Sequence, residues 1–158
     1  MTSASKIVLI TGASRGIGAA TARLAAAEGY DVAVNYLRDK AAADAVAADI
    51  QSTGRRAVTV QADVALEGDV ERLFATVDTS LGRLTHLVCN TGIMGPSSRI
   101  EALPAEAARE VLDTNVLGAF LCARAAIARI STRHGAGQGA RWCSSPPRWR
   151  RWAGPASM

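Results

Sequence analysis

Aromatic residues are scarce: Trp, Tyr and Phe together make up 4% of the 158 residues. The two lysines (Lys6, Lys40) and two tyrosines (Tyr30, Tyr36) all fall in the first forty positions. The three cysteines (Cys89, Cys122, Cys143) are odd in number and lack metal-ligand spacing, so neither a disulfide framework nor a metal site is expected. No stretch is expected to approach the roughly 20 consecutive apolar residues of a membrane helix. The short apolar run near Met1 lacks the basic flank and cleavage pattern of a secretory leader. A cytoplasmic protein without a membrane partner is the resulting expectation. With 49% hydrophobic residues the chain is not of disordered composition, and its length suits one domain with a real core.

Acid is missing from the end of the chain. The last 18 residues hold Arg141, Arg148, Arg150 and Arg151 and no Asp or Glu, so the whole net charge of +4 lies there. Trp142, Trp149, Trp152, Pro146, Pro147 and Pro155 share that segment. Composition thus divides the chain into a body, residues 1–140, and an aberrant Arg/Trp/Pro-rich tail, residues 141–158.

Within the body, residues 6–10 (Lys-Ile-Val-Leu-Ile) read as a strand buried on both faces. A glycine-rich loop, Thr11 to Gly18, follows at once, then an Ala-rich helix over 19–28 that Gly29 ends. Further strands are expected at 31–36, 57–61 and 84–89, with helices at 40–52 and 70–81. A long helix with a break or bend is expected over 105–130. Strands alternating with helices imply right-handed crossovers and a parallel sheet covered on both faces, a Rossmann-like doubly wound α/β fold.

The loop sits where phosphate chemistry needs it. Gly12 permits a sharp turn after the first strand, Gly16 leaves space for a pyrophosphate, and Gly18 lets the helix pack closely on the sheet. The helix N-terminus adds free N–H groups and a partial positive charge. No Gly-Lys-Ser/Thr follows, so a triphosphate loop is not indicated. At the end of the second strand, Asn35-Tyr36-Leu37-Arg38 offers no acid for a free ribose hydroxyl. Arg15 and Arg38 are suited to a 2′-phosphate, which favours NADP(H) over NAD(H).

These residues resemble the short-chain dehydrogenase/reductase family over roughly residues 5–140. Thr11-Gly12-Ala13-Ser14-Arg15-Gly16-Ile17-Gly18 matches its Thr-Gly-x-x-x-Gly-x-Gly motif in full. Asp63-Val64 matches the pair that holds adenine, and Cys89-Asn90-Thr91-Gly92 is similar to the family's Asn-Asn-Ala-Gly. Asn115 matches the helix asparagine of the catalytic tetrad. The resemblance implies cofactor contacts from Gly12, Ser14, Arg15, Gly16, Ile17, Gly18, Asn35, Arg38, Asp63, Val64, Asn90, Thr91 and Gly92. Asn115 would position a water in the proton relay. Cys89 and Thr91 depart from the motif; Cys89 is expected to be a small buried residue rather than a reactive thiol. The strand-tying bond of the family's first Asn is then in question.

The resemblance also implies a catalytic Ser and a Tyr-x-x-x-Lys. No Tyr-x-x-x-Lys occurs, and Ser144 and Ser145 stand between Arg-Trp-Cys and Pro-Pro. As written, the chain looks like the first three-fifths of a member, truncated at the C-terminal edge of the sheet, and inactive. The expected function is hydride transfer between NADP(H) and a small carbonyl or alcohol by lineage, with homo-oligomers at full length. A non-catalytic nucleotide-binding or interaction protein is the alternative.

For the tail, nucleic-acid or membrane binding is disfavoured by four charges and three prolines. A frameshift at about residues 135–141 is the favoured expectation, over a tail of no function. In the neighbouring frame Trp142-Cys143 reads Val and Trp152-Ala153 reads Gly whichever codons are used. The free wobble positions there permit a strand ending in Ser-Ser, followed by a tyrosine. A coding sequence without such a continuation would contradict it. The same truncation is expected to bare apolar surface at the sheet edge and along the long helix.

Overall fold

A computed structural model describes residues 6–130. The tail of 141–158, with Cys143, Ser144 and Ser145, and the last ten residues of the body lie outside the described residues.

A run of four apolar residues is stable as a strand only when covered on both faces. It forms β1 (Ile7–Ile10), buried throughout. The chain continues through α1 (Gly16–Ala27), β2 (Asp31–Tyr36), α2 (Lys40–Ser52), β3 (Ala57–Gln61), α3 (Glu67–Ser80), β4 (His86–Val88), α4 (Ala105–Leu112) and α5 (Gly118–Ile130). The strands form one parallel sheet in the order β3-β2-β1-β4. Side chains alternate across each strand. Ile7 and Leu9 therefore join Leu73, Phe74 and Val77 of α3 and Leu121 and Ala126 of α5 in one core. Val8 and Ile10 join Ala19 and Ala22 of α1 and Val46 and Ile50 of α2 in the other. The expected doubly wound α/β fold is the one observed.

Element boundaries differ from the sequence reading where side chains take over backbone roles. The third helix begins at Glu67, three residues early, because Glu67 and Asp69 place negative charge at its N-terminus and Asp69 accepts the Asp63 N–H at 2.8 Å. The fourth strand is 86–88 rather than 84–89. Upstream of it, the Thr85 hydroxyl accepts the Ile7 N–H at 2.8 Å and donates to the Ile7 carbonyl at 2.7 Å.

The break expected in the long helix is a π-helical turn, Asp113–Leu117, in which the Gly118 N–H reaches back to the Asp113 carbonyl. Such turns insert one residue and gather at functional sites. The expectation that no stretch approaches a membrane span is corrected here. Ala105–Ile130 is 26 helical residues, long and apolar enough to cross a bilayer by length and composition. Its α5 half packs as a core helix, with Leu121, Cys122, Ala126 and Ile130 buried.

At the sheet end opposite the glycine loop, the buried Asp31 carboxylate accepts the Arg56 N–H at 3.0 Å and its guanidinium at 2.8 and 2.9 Å, and pairs with Arg55 at 2.7 Å. Burial acts to raise its pKa, but the Arg56 bonds and the charges of Arg56 and Arg55 outweigh it and hold the carboxyl below its ordinary value. A group whose folded pKa is lowered contributes stability that is fully present above its unfolded value of about 3.9 and is lost as pH falls through the folded one. Asp31→Asn is therefore expected to melt lower than the parent at neutral pH, with the gap narrowing on acidification. Melting curves at neutral and acidic pH check this; a gap that stays constant would contradict it.

Candidate nucleotide-binding site

The C-terminal ends of all four parallel strands lie along one edge of the sheet, and β1 and β4 meet where the strand order reverses. Open α/β sheets bind ligands at that crevice. The glycine loop leaves β1 there. Gly12 and Gly16 hold φ angles of 62° and 57°, which side chains rarely adopt. A Cβ on Gly16 would meet nothing within 4 Å, so the loop faces open space at that point. A Cβ on Gly18 would lie 2.5 Å from the Gly12 carbonyl and 2.6 Å from the Asn90 amide. Gly16 is thus spare room beside the loop, and Gly18 is close packing.

The start of α1 is built for an anion. Its N-cap, Arg15, makes no side-chain capping bond, and its first turn carries no acid. By contrast, α2 is capped by Asp39, which accepts the Ala42 N–H at 2.9 Å. The first bond of α1 runs from the Ala19 N–H to the Arg15 carbonyl. The preceding N–H groups are therefore available to a phosphate.

Three side chains hold the loop in shape. The Asn35 Oδ1 accepts the Gly12 N–H at 3.2 Å, and its Nδ2 donates to the carbonyls of Val60 and Ala62. Asn90 Nδ2 donates to the carbonyls of Thr11 and Gly12 at 2.9 and 3.1 Å. The Thr11 hydroxyl accepts the N–H groups of Asn90 and Thr91. Asn35 corrects the sequence reading: it is 2% exposed and spent on the interior, so it positions the loop and does not reach a cofactor. Asn90 supplies the tie between β4 and its neighbour that was in question at position 89.

Of the other predicted positions, Arg15, Ile17 and Arg38 are exposed and Ser14 is half-buried. Neither arginine forms an ion pair among the described residues. The Asp63 Oδ1 accepts the Ala65 N–H at 2.9 Å. Val64 is 4% exposed, and its side chain and carbonyl both lie against Gly118. Cys89 overturns the expectation of a buried residue: as a residue it is exposed, just past the end of β4. Its sulfur still lies 4.0 Å from the Ala119 carbonyl, and burial pushes the thiol pKa up, away from the reactive thiolate. Burial, with Cys89 nearby, pushes Cys122 up to about 12.

Asn115 stands in the π turn. Its Oδ1 accepts the Ile93 N–H at 2.9 Å and its Nδ2 donates to the Ile93 carbonyl at 2.8 Å. Both ends of the amide are thus engaged with the loop after β4, and Gly92 lies against it. The side chain clamps the loop and keeps one amide N–H and one Oδ1 lone pair beyond those two bonds. Sequence reasoning missed Gly118, where a Cβ would meet Val64 at 2.8 Å. A glycine inside a helical pattern was the available signal.

Comparison with known proteins agrees with this geometry. Residues 6–139 match the short chain dehydrogenase family. The uncharacterized oxidoreductase YgfF of Escherichia coli is 45% identical over 134 residues, 85% of this chain and 54% of that protein. A 3-oxoacyl-(acyl-carrier-protein) reductase of Synechocystis is 42% identical over 120 residues, 76% of this chain and 48% of the reductase. A solved short chain dehydrogenase from Burkholderia cenocepacia, in complex with NADP, superposes with a TM-score of 0.75 at 38% identity, covering 78% of this chain and 50% of that one. The chain spans about half the length of these relatives. In sequence motif, sheet topology and glycine-loop geometry alike, the chain belongs to the short-chain dehydrogenase family.

Proposed function

We propose that residues 6–130 are the NADP(H)-binding part of an oxidoreductase acting on a small carbonyl or alcohol. One observation carries the cofactor preference. Where an acid at the end of β2 would accept a free ribose hydroxyl there is none, while Arg15 and Arg38 stand exposed without an ion-pair partner among the described residues. A guanidinium grips a 2′-phosphate in a bidentate way, and a carboxylate would repel it. The NADP held by the Burkholderia cenocepacia relative supports the same reading.

The bound nicotinamide would supply or accept the hydride. The N-terminus of α1 would offset the pyrophosphate charge, with Gly16 leaving it room. The Asp63–Val64 segment would face the adenine, and the 90–92 segment would approach the nicotinamide ribose. Asn115 would keep that segment in place through Ile93. Tyr30 and Tyr36 are not candidates for proton transfer: Tyr36 is buried, and the Tyr30 hydroxyl faces His86 at 3.4 Å on the far end of the sheet. The 158-residue polypeptide, lacking a Tyr-x-x-x-Lys, is therefore proposed to bind the dinucleotide without turnover. Reduction and homo-oligomeric assembly are proposed for a chain that carries that motif.

Titration with NADPH and NADH, followed by nicotinamide fluorescence, tests the preference. NADPH is expected to bind about tenfold tighter or more, which corresponds to ~1.4 kcal/mol. Arg38→Ala should remove most of that margin and leave NADH affinity unchanged. Equal affinities, or tighter NADH, would rule the reading out.

A further inference from the structure

Gly118 opens α5 with φ −59° and ψ −44°, an ordinary helical conformation that any residue adopts. Alanine is the better helix former, so the glycine answers a need for space and not for backbone freedom. A Cβ at this position would lie 2.8 Å from Val64 Cγ2, 3.1 Å from the Val64 carbonyl oxygen and 3.2 Å from its carbonyl carbon. Carbon atoms rest at about 3.5–4.0 Å from one another. The start of α5 is therefore seated on the backbone of the 63–65 turn, closer than a side chain at 118 would allow.

That turn has few ways to yield. Asp69 of α3 accepts the Asp63 N–H at 2.8 Å, the Asp63 carboxylate accepts the Ala65 N–H at 2.9 Å, and the Leu66 N–H reaches the Asp63 carbonyl at 3.1 Å. Val64 is buried and β-branched, with little freedom at χ1. Three residues before Gly118, Asn115 holds the Ile93 N–H and carbonyl at 2.9 and 2.8 Å. One short run, 115–118, thus touches the turn after β3 by close packing and the loop after β4 by paired hydrogen bonds.

Given the assignment of 63–64 to the adenine and 90–92 to the nicotinamide ribose, we propose that Gly118 is a positioning residue that sets the spacing between the two halves of the dinucleotide site. A ligand that spans both segments gains from engaging them together only when their spacing matches its own length. A methyl on residue 118 would drive the turn and α5 apart by about half an ångström to reach ordinary contact, with each segment's own hydrogen bonds kept. A ligand for one half alone would not register the change.

NADPH and adenosine 2′,5′-bisphosphate, which carries only the adenine half and its 2′-phosphate, separate these effects in calorimetric titrations. Gly118→Ala is expected to weaken NADPH about tenfold and to change bisphosphate affinity less than about twofold. A loss for NADPH no greater than that for the bisphosphate overturns the proposal, since it would mean no effect or plain damage to the turn. Should Gly118→Ala fail to fold, Val64→Ala in the same chain removes the nearest atom, and the double variant compared with Val64→Ala alone is held to the same split. A parent chain that does not bind NADPH overturns the cofactor reading and this inference with it. Binding of both ligands by the parent, without the split in the variant, overturns the role of Gly118 alone.

Discussion

Gly18→Ala is expected to lower NADPH affinity by about a hundredfold or more, equivalent to at least ~2.7 kcal/mol. The added methyl would lie 2.5 Å from the Gly12 carbonyl, 2.6 Å from the Asn90 amide and 2.9 Å from the Ala13 Cα. Two of the three are backbone atoms of the loop itself, which cannot rotate away as a side-chain tip would. Relief requires α1 to lift off β1 or the loop to open, and overpacking of this kind costs about 1–3 kcal/mol. Either movement also breaks the Asn90 bonds to Thr11 and Gly12. Both binding and Tm should therefore fall together. Gly16→Ala separates the two effects. No atom lies within 4 Å of its Cβ position, so the fold meets only the strain of a positive φ. Its stability loss should be smaller, while nucleotide affinity still drops because the methyl stands in the open side of the loop. Near-normal NADPH binding by the Gly18 variant would contradict the packing argument.

The second large effect concerns association. Leu112, Val116, Phe120 and Ile127 are 58%, 60%, 61% and 54% exposed along α4, the π turn and α5. Among the described residues β4 pairs only with β1 and presents an open strand edge. Contiguous exposed apolar surface and an unprotected edge both drive self-association. The 16.4 kDa polypeptide is expected to run as species larger than a monomer in size-exclusion chromatography with light scattering. Phe120→Glu should raise the monomer fraction, since it places charge within the apolar strip without touching the buried face of α5. A monodisperse, cooperatively melting monomer of the unsubstituted chain would refute this.

Much of this protein is legible in local sequence. The apolar run of β1, the three glycines after it and the Ala-rich helix that follows are one continuous segment. Their conformations are set by neighbours in the chain: positive φ needs glycine, and small residues let a helix lie close to a sheet. The strand–helix alternation then fixes the parallel topology through the handedness of crossovers. The absence of an acid at the end of β2 is equally local, and so is the absence of Tyr-x-x-x-Lys.

What the sequence could not reveal lies in contacts between residues far apart in it. Asn35 and Arg38 stand three residues apart, yet one is spent inside on Gly12 and β3 and the other faces solvent. Only the pairing of β2 with β3 and the path of the loop decide that. Asn115 reaches its partner Ile93 across 22 residues, and the π turn that aims it there has no periodic signature. Cys89 reads as a buried small residue, yet it lies exposed just past the end of β4 with its sulfur toward the Ala119 carbonyl. Local chemistry determined the fold and the kind of ligand; which polar groups face that ligand, and which are consumed in holding the loop, was decided by tertiary packing, because a buried amide must find its partners wherever the fold brings them.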